Sequence, residues 1–210
     1  MSCLKKIPTL QLLPNNMTYK KSLLFFAAIM VFGVAAYMAL HNGQYPISIV
    51  NSHIITASTV EKNFVASLTY LQNAALVYRS NPALLETAAA RGEIKRATLD
   101  KLITDALILS ELKTRVSGEE IDTIADTKIN QFLYENSDVE RAAQALYGLS
   151  LAEFKSRVLI PQAYREILEG RMFLAKEDFG AWLSEAKRSA RVLVFISDLE
   201  WTGEQISIKK

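Results

Sequence analysis

Few side chains in this 210-residue chain can do acid–base, nucleophilic or metal chemistry, and their spacing does not gather them. His41 and His53 are the two histidines. They stand twelve positions apart, one just after an apolar run and one in the turn-rich tripeptide Asn51-Ser52-His53, with no acid or cluster of metal ligands beside either. The densest carboxylates are Glu119-Glu120 and the pair Asp122 and Asp126. Ser117-Gly118-Glu119-Glu120 has the form of a helix capping box, in which the serine hydroxyl takes the N3 amide and Glu120 reaches back. Asp122 and Asp126 are four apart, as on one solvated helix face. Ser150-Leu151-Ala152-Glu153 repeats the box, so Ser117 and Ser150 read as caps rather than nucleophiles. Cys3, the only cysteine, is a plain thiol or an acylation site near a membrane. No glycine loop suited to phosphate occurs. The residues therefore point to no catalytic group, no metal and no cofactor, and the chemistry left is binding.

What would position a binding surface begins with residues 22–40, SLLFFAAIMVFGVAAYMAL, a stretch without a charge. As a helix it reaches about 28 Å, close to the about 30 Å of a hydrocarbon core. It is therefore expected to be a transmembrane anchor, contacting the lipid bilayer through residues 22–40. Lys5, Lys6, Lys20 and Lys21 precede it without an acid, and the next basic residue is Lys62, so the positive-inside rule places the amino terminus in the cytoplasm. A cleaved signal peptide is the competing reading, although cleavage after Ala39 would put Tyr37 where a small residue is wanted. Four of the 24 basic side chains lie in the first twenty-one residues, leaving 20 basic against 22 acidic groups and a formal net charge of −2 for the rest. That balance is no footprint for nucleic acid.

Beyond the anchor, residues 41–46 form a linker, and Ile47-Ser48-Ile49-Val50 is β-prone. A second β-prone run, Arg191 to Ile196 and on toward Trp201, lies near the other end. Two lone strands would expose their edges, so they are expected to pair with each other. Between them the apolar residues recur at helical spacings. Val60, Phe64, Leu68, Leu71 and Ala75 follow a cap at Thr56, and Pro82 opens a short helix that Gly92 ends. A central helix runs from Ile94 to about Val116, and the helix after Ser117 offers Ile121, Ile124, Ala125, Ile129 and Phe132. Asn136-Ser137-Asp138 starts a short helix ended by Gly148. Pro161 kinks or restarts the helix after Ser150, and Phe179 to Ala190 leads into the last strand.

Several passages, in this order, resemble the amino-terminal chaperone region of the SurA and PpiD family of periplasmic folding factors. Ile47-Ser48-Ile49-Val50-Asn51 followed by Ile54-Ile55-Thr56 is similar to the family's opening, with Ser52 where a glycine is usual. Leu99 to Leu109, then Val116-Ser117 and Glu120-Ile121-Asp122, resembles a leucine-rich helix with its Val-Ser and Glu-Val-Asp sequel. Tyr147-Gly148-Leu149-Ser150 with Glu153-Phe154-Lys155 and Val158 resembles a third family passage, and Trp182 to Lys187 the closing helix of membrane-bound relatives. The resemblance covers about residues 47 to 200. It implies a mainly α fold: a single transmembrane helix, then a SurA N-terminal-like domain over 47–202 closed by a two-stranded sheet from the chain ends, with a tail over 203–210. It also implies a bacterial inner-membrane protein with its domain in the periplasm. The family's parvulin isomerase domain has no room here, so no isomerase activity is expected.

Such a protein binds unfolded or newly exported polypeptides. Apolar residues near helix ends are the candidates for that surface: Phe132, Tyr134, Tyr147, Leu149, Phe154 and Tyr164. Each is open to a plain core role, so the expectation rests on the set. The alternatives are a structural module clasping one membrane or envelope partner, and a divergent prolyl isomerase. A homo-oligomer is compatible with either binding role.

Overall fold

The computed structural model of the chain describes residues 16–209. Cys3, Lys5 and Lys6, with most of the expected basic segment, lie outside the described residues. The chain divides into two compact units, Met1–Asn42 and Gly43–Lys210.

The first unit contains helix α1 (Asn16–His41), in which Tyr37 stacks on His41 with ring centroids 5.8 Å apart. Its described apolar side chains, Phe25 and Phe32 among them, are exposed. Among the described residues no helix is long and apolar enough to cross a membrane. The longest unbroken run of described side chains in α1 is 23–34, which rises about 18 Å against the about 30 Å a hydrocarbon core requires. The expectation of a transmembrane anchor over residues 22–40, and of an inner-membrane protein with a periplasmic domain, is corrected on that ground.

The second unit begins with strands β1 (Pro46–Val50) and β2 (His53–Thr56), joined by a tight turn in which Asn51 takes φ 53°. Asparagine tolerates the left-handed region better than most residues because its short side chain bonds locally. Here its Oδ1 accepts from the Arg191 amide at 3.1 Å, tying the turn to the far end of the chain. Strand β3 (Val192–Val194) pairs antiparallel with β1, Ser48 opposite Val194 and Val50 opposite Val192. The two β-prone runs thus lie side by side, but the sheet is corrected from two strands to three, in the order β2-β1-β3. The missing strand was hidden because Ile54-Ile55-Thr56 runs straight into the next helix and reads as its approach.

A separate hairpin comes after β3, pairing β4 (Leu199–Trp201) with β5 (Ile206–Ile208). Residues 203–210, expected as a tail, thereby contribute a strand, and Ile206 is fully buried. Arg96 Nη1 donates to the Ile206 carbonyl at 2.6 Å and Asp100 Oδ1 accepts from its amide at 3.1 Å, so one turn of a helix satisfies the backbone groups of this edge.

Seven helices fill the space between β2 and β3. Thr56 caps α2 (Ala57–Val77), and after a 3-10 turn at Pro82–Glu86, Thr87 caps α3 (Ala88–Arg115). Gly92 does not end a helix: it lies within α3 on an exposed position. An interior glycine costs about 1 kcal/mol, which the upstream cap and the packed length beyond it offset. Ser117 caps α4 (Gly118–Glu135) through the Glu120 amide. The Glu120 carboxylate does not reach back but pairs with Arg171 at 2.5 Å, so only half of that box forms. Helix α5 (Val139–Tyr147) ends at Gly148, φ 67°, a left-handed stop that suits glycine. The box at Ser150 and Glu153 is complete and opens α6 (Leu151–Phe154). A π-turn at Lys155–Leu159 leads into α7 (Ile160–Leu174), with Pro161 at its start, and Asp178 caps α8 (Phe179–Ser189).

Two cores result, and α3 serves both. Leu99, Ile103 and Leu107 meet Ile47, Val50 and Ile55 of the sheet, with Leu199 and Ile206 of the hairpin. Ile108 and Leu112, further along α3, meet Ile121, Ala125 and Ile129 of α4 and Ile167, Leu168 and Met172 of α7.

Candidate functional site

Pro161 and the π-turn before it set the geometry of the most concave surface. A π-turn inserts a residue into the helical ladder and rotates the next helical turn, and such insertions are frequent at functional sites. Here it carries Val158 and Leu159 out between two depressions. The larger, about 590 Å³, lies between α2, α3 and the start of α7, with Ala66, Leu102, Val158 and Pro161 among its apolar walls. The smaller, about 410 Å³, lies between the second half of α4 and α7, with Ile129, Phe132 and Ala163. Leu159 and Gln162 line both, so the two grooves meet along one ridge.

Charged groups rim both grooves. Lys128 donates to Glu166 at 2.9 Å across the smaller groove, and this ammonium holds the Glu166 carboxyl below the usual range. Arg157 pairs with Glu153 at 2.8 Å beside the larger groove. The Ser150 hydroxyl and amide, then Arg157, hold Glu153 low as well. Arg165 pairs with Glu169 and lies over the Phe179 ring, 5.2 Å from its centroid.

The six residues expected to form the binding surface do not stay together. Phe132, 42 % exposed, lines the smaller groove, and Tyr147 lines the larger. Tyr147 is stacked on Tyr70 at 4.9 Å and tilted against Phe154 at 5.3 Å, so Phe154 supports the groove wall from behind. Burial pushes the Tyr147 phenol up. Tyr164 packs beside the α4–α7 core, its hydroxyl donating to Asp122 at 3.3 Å, and burial, then the Asp122 charge, raises its pKa. Leu149 is buried and Tyr134, 90 % exposed, lines neither groove.

Leu159, Val158, Gln162 and Leu102, which shape the grooves, were not among those expected. Pro161 was the available signal: a proline inside an otherwise helical pattern marks the place where the ladder breaks and neighbouring side chains turn outward.

Among the described residues no group of three or more His, Cys, Asp or Glu is placed to hold a metal ion. His53 is exposed at the start of β2, and the Glu119-Glu120 and Asp122-Asp126 carboxylates are solvent-facing. What the surface can offer a ligand is apolar relief flanked by exchangeable ion pairs. In comparison with known proteins, the chain matches no family model, no curated protein and no solved structure.

Proposed function

We propose that this chain is a chaperone-like protein that binds unfolded or nascent polypeptide segments in the two grooves flanking Leu159, without isomerase activity of its own. The observation that carries this reading is the pair of open, apolar-walled grooves sharing one ridge. Each groove has room for side chains, and a common ridge lets one extended segment reach both. The ordered passages resembling the SurA and PpiD chaperone region support it from the sequence side. Apolar walls with polar rims suit weak, reversible capture, because burial of client side chains provides affinity without fixing their identity.

The test is suppression of aggregation by the full chain, measured by light scattering on several unrelated unfolded substrates. Substoichiometric to stoichiometric protection of all of them is expected, with loss of protection in a Phe132→Ala, Val158→Ser double variant that keeps its helical circular dichroism. Protection of none, with capture of one stoichiometric partner instead, would replace this function by that of a dedicated structural module. Peptide isomerisation above background would replace it by enzymatic activity.

A further inference from the structure

The helical stretch from α6 through the π-turn into α7 is continuous, yet one of its rungs has no donor. The Ile160 amide donates five residues back, to the Lys155 carbonyl. Pro161 has no N–H at all. A donor at 161 would reach the carbonyl at 157 or at 156, by an α or a π bond, so one acceptor there loses its ladder partner. Neighbouring side-chain donors are engaged elsewhere: the Ser156 hydroxyl bonds the Glu153 carbonyl at 3.0 Å, and Arg157 bonds Glu153 and the Lys62 carbonyl. The freed acceptor belongs to the turn that forms the wall of the larger groove.

The grooves also differ in charge. Lys101, Arg157 and Arg165 line the larger one against a single carboxylate, Asp105, whereas Glu135 and Glu166 line the smaller against Lys128. The cations have exposed partners, in pairs of small worth that a client carboxylate can replace.

Resting on the polypeptide-binding reading above, we infer that this surface takes an extended apolar segment in a set polarity: an acidic residue lies toward the larger groove, and one backbone N–H donates to the carbonyl freed by Pro161. The main-chain bond is indifferent to sequence, and the charge bias selects among apolar segments.

The probes are fluorescein-labelled nonapeptides of alternating leucine, phenylalanine and serine, ending in either two glutamates or two lysines, titrated into the full chain by fluorescence anisotropy. The acidic peptide should bind about fivefold more tightly at low salt, with the gap closing at about 0.5 M salt as the screening length shortens. Methylating its backbone nitrogens one at a time should reveal one position where affinity falls about fivefold, the worth of one hydrogen bond. In Pro161→Ala, where the helix regains its own donor, that position should become indifferent. The methylation series on the unaltered protein stands even if the variant misfolds. Equal binding of acidic and basic peptides, or a flat methylation series, overturns this inference and leaves the polypeptide-binding function standing. Binding of no peptide at all overturns both.

Discussion

The two ends of α3 solve different problems with the same helix. At its amino-terminal end, Leu99, Ile103 and Leu107 are enclosed by sheet and hairpin, and even the backbone of β5 is clasped by Arg96 and Asp100. At its carboxyl-terminal end, Ile108 and Leu112 support α4 and α7, and above that packing the surface is left open as grooves. The sheet end uses its polar side chains to finish backbone hydrogen bonds. The groove end leaves a helix rung unfinished at Pro161 and keeps its charges on the rim. Closure by one core allows openness beside the other.

The largest effects should come from the shared helix. Leu99→Ala on the sheet side and Leu112→Ala on the groove side both remove fully buried side chains and should each cost about 2–5 kcal/mol in urea denaturation. Both variants should unfold in one transition, because α3 belongs to both cores; two separated transitions would split the sheet end from the groove end. Gly148→Ala should cost about 1–2 kcal/mol, the penalty of a left-handed alanine, since the added methyl would meet only Thr69 Cγ2 at an ordinary 3.6 Å. That measurement separates backbone strain from crowding at the edge of the groove wall.

Ser150→Ala should cost about 1 kcal/mol by removing the cap ahead of the π-turn, and Ser117→Ala less, because only half of its box is formed. The smallest effect is that of pH. Glu166 beside Lys128 and Glu177 beside Arg115 have carboxyls held below their ordinary values. Their contribution is complete above the unfolded carboxylate pKa of about 4.3 and is lost as pH falls through the lower folded values. Urea midpoints should therefore be level from pH 7 to about 5 and decline below about 4.5. The decline should be shallow because both pairs are exposed. A midpoint that rises on acidification would contradict the assigned pairs.

The helical body was legible because its signals are local. Caps at Thr56, Ser117 and Ser150, the stop at Gly148 and the spacing of Val60, Phe64 and Leu68 are each decided within a few residues. What stayed hidden depends on distant partners. Strand β5 is held by side chains from α3, more than a hundred residues away in sequence, and Gly92 stays helical because of what packs on either side of it. Residues 22–40 show the converse: an uninterrupted apolar composition suggested a spanning helix, whereas among the described residues none qualifies. For the site, aromatic identity was a poor guide. Tyr134 lines neither groove and Leu149 is buried, while Leu159 and Gln162, unremarkable in type, became the ridge because Pro161 and the π-turn redirect them.

The most direct test places a photoactivatable amino acid at position 162, on the ridge between the grooves, or at position 200, exposed on the hairpin, in the full chain. Illumination in the presence of several unrelated unfolded polypeptides should give cross-links to all of them from position 162 and none from position 200. Cross-links from position 200 alone, or from neither, would contradict the claim that the grooves beside Leu159 are where polypeptide binds.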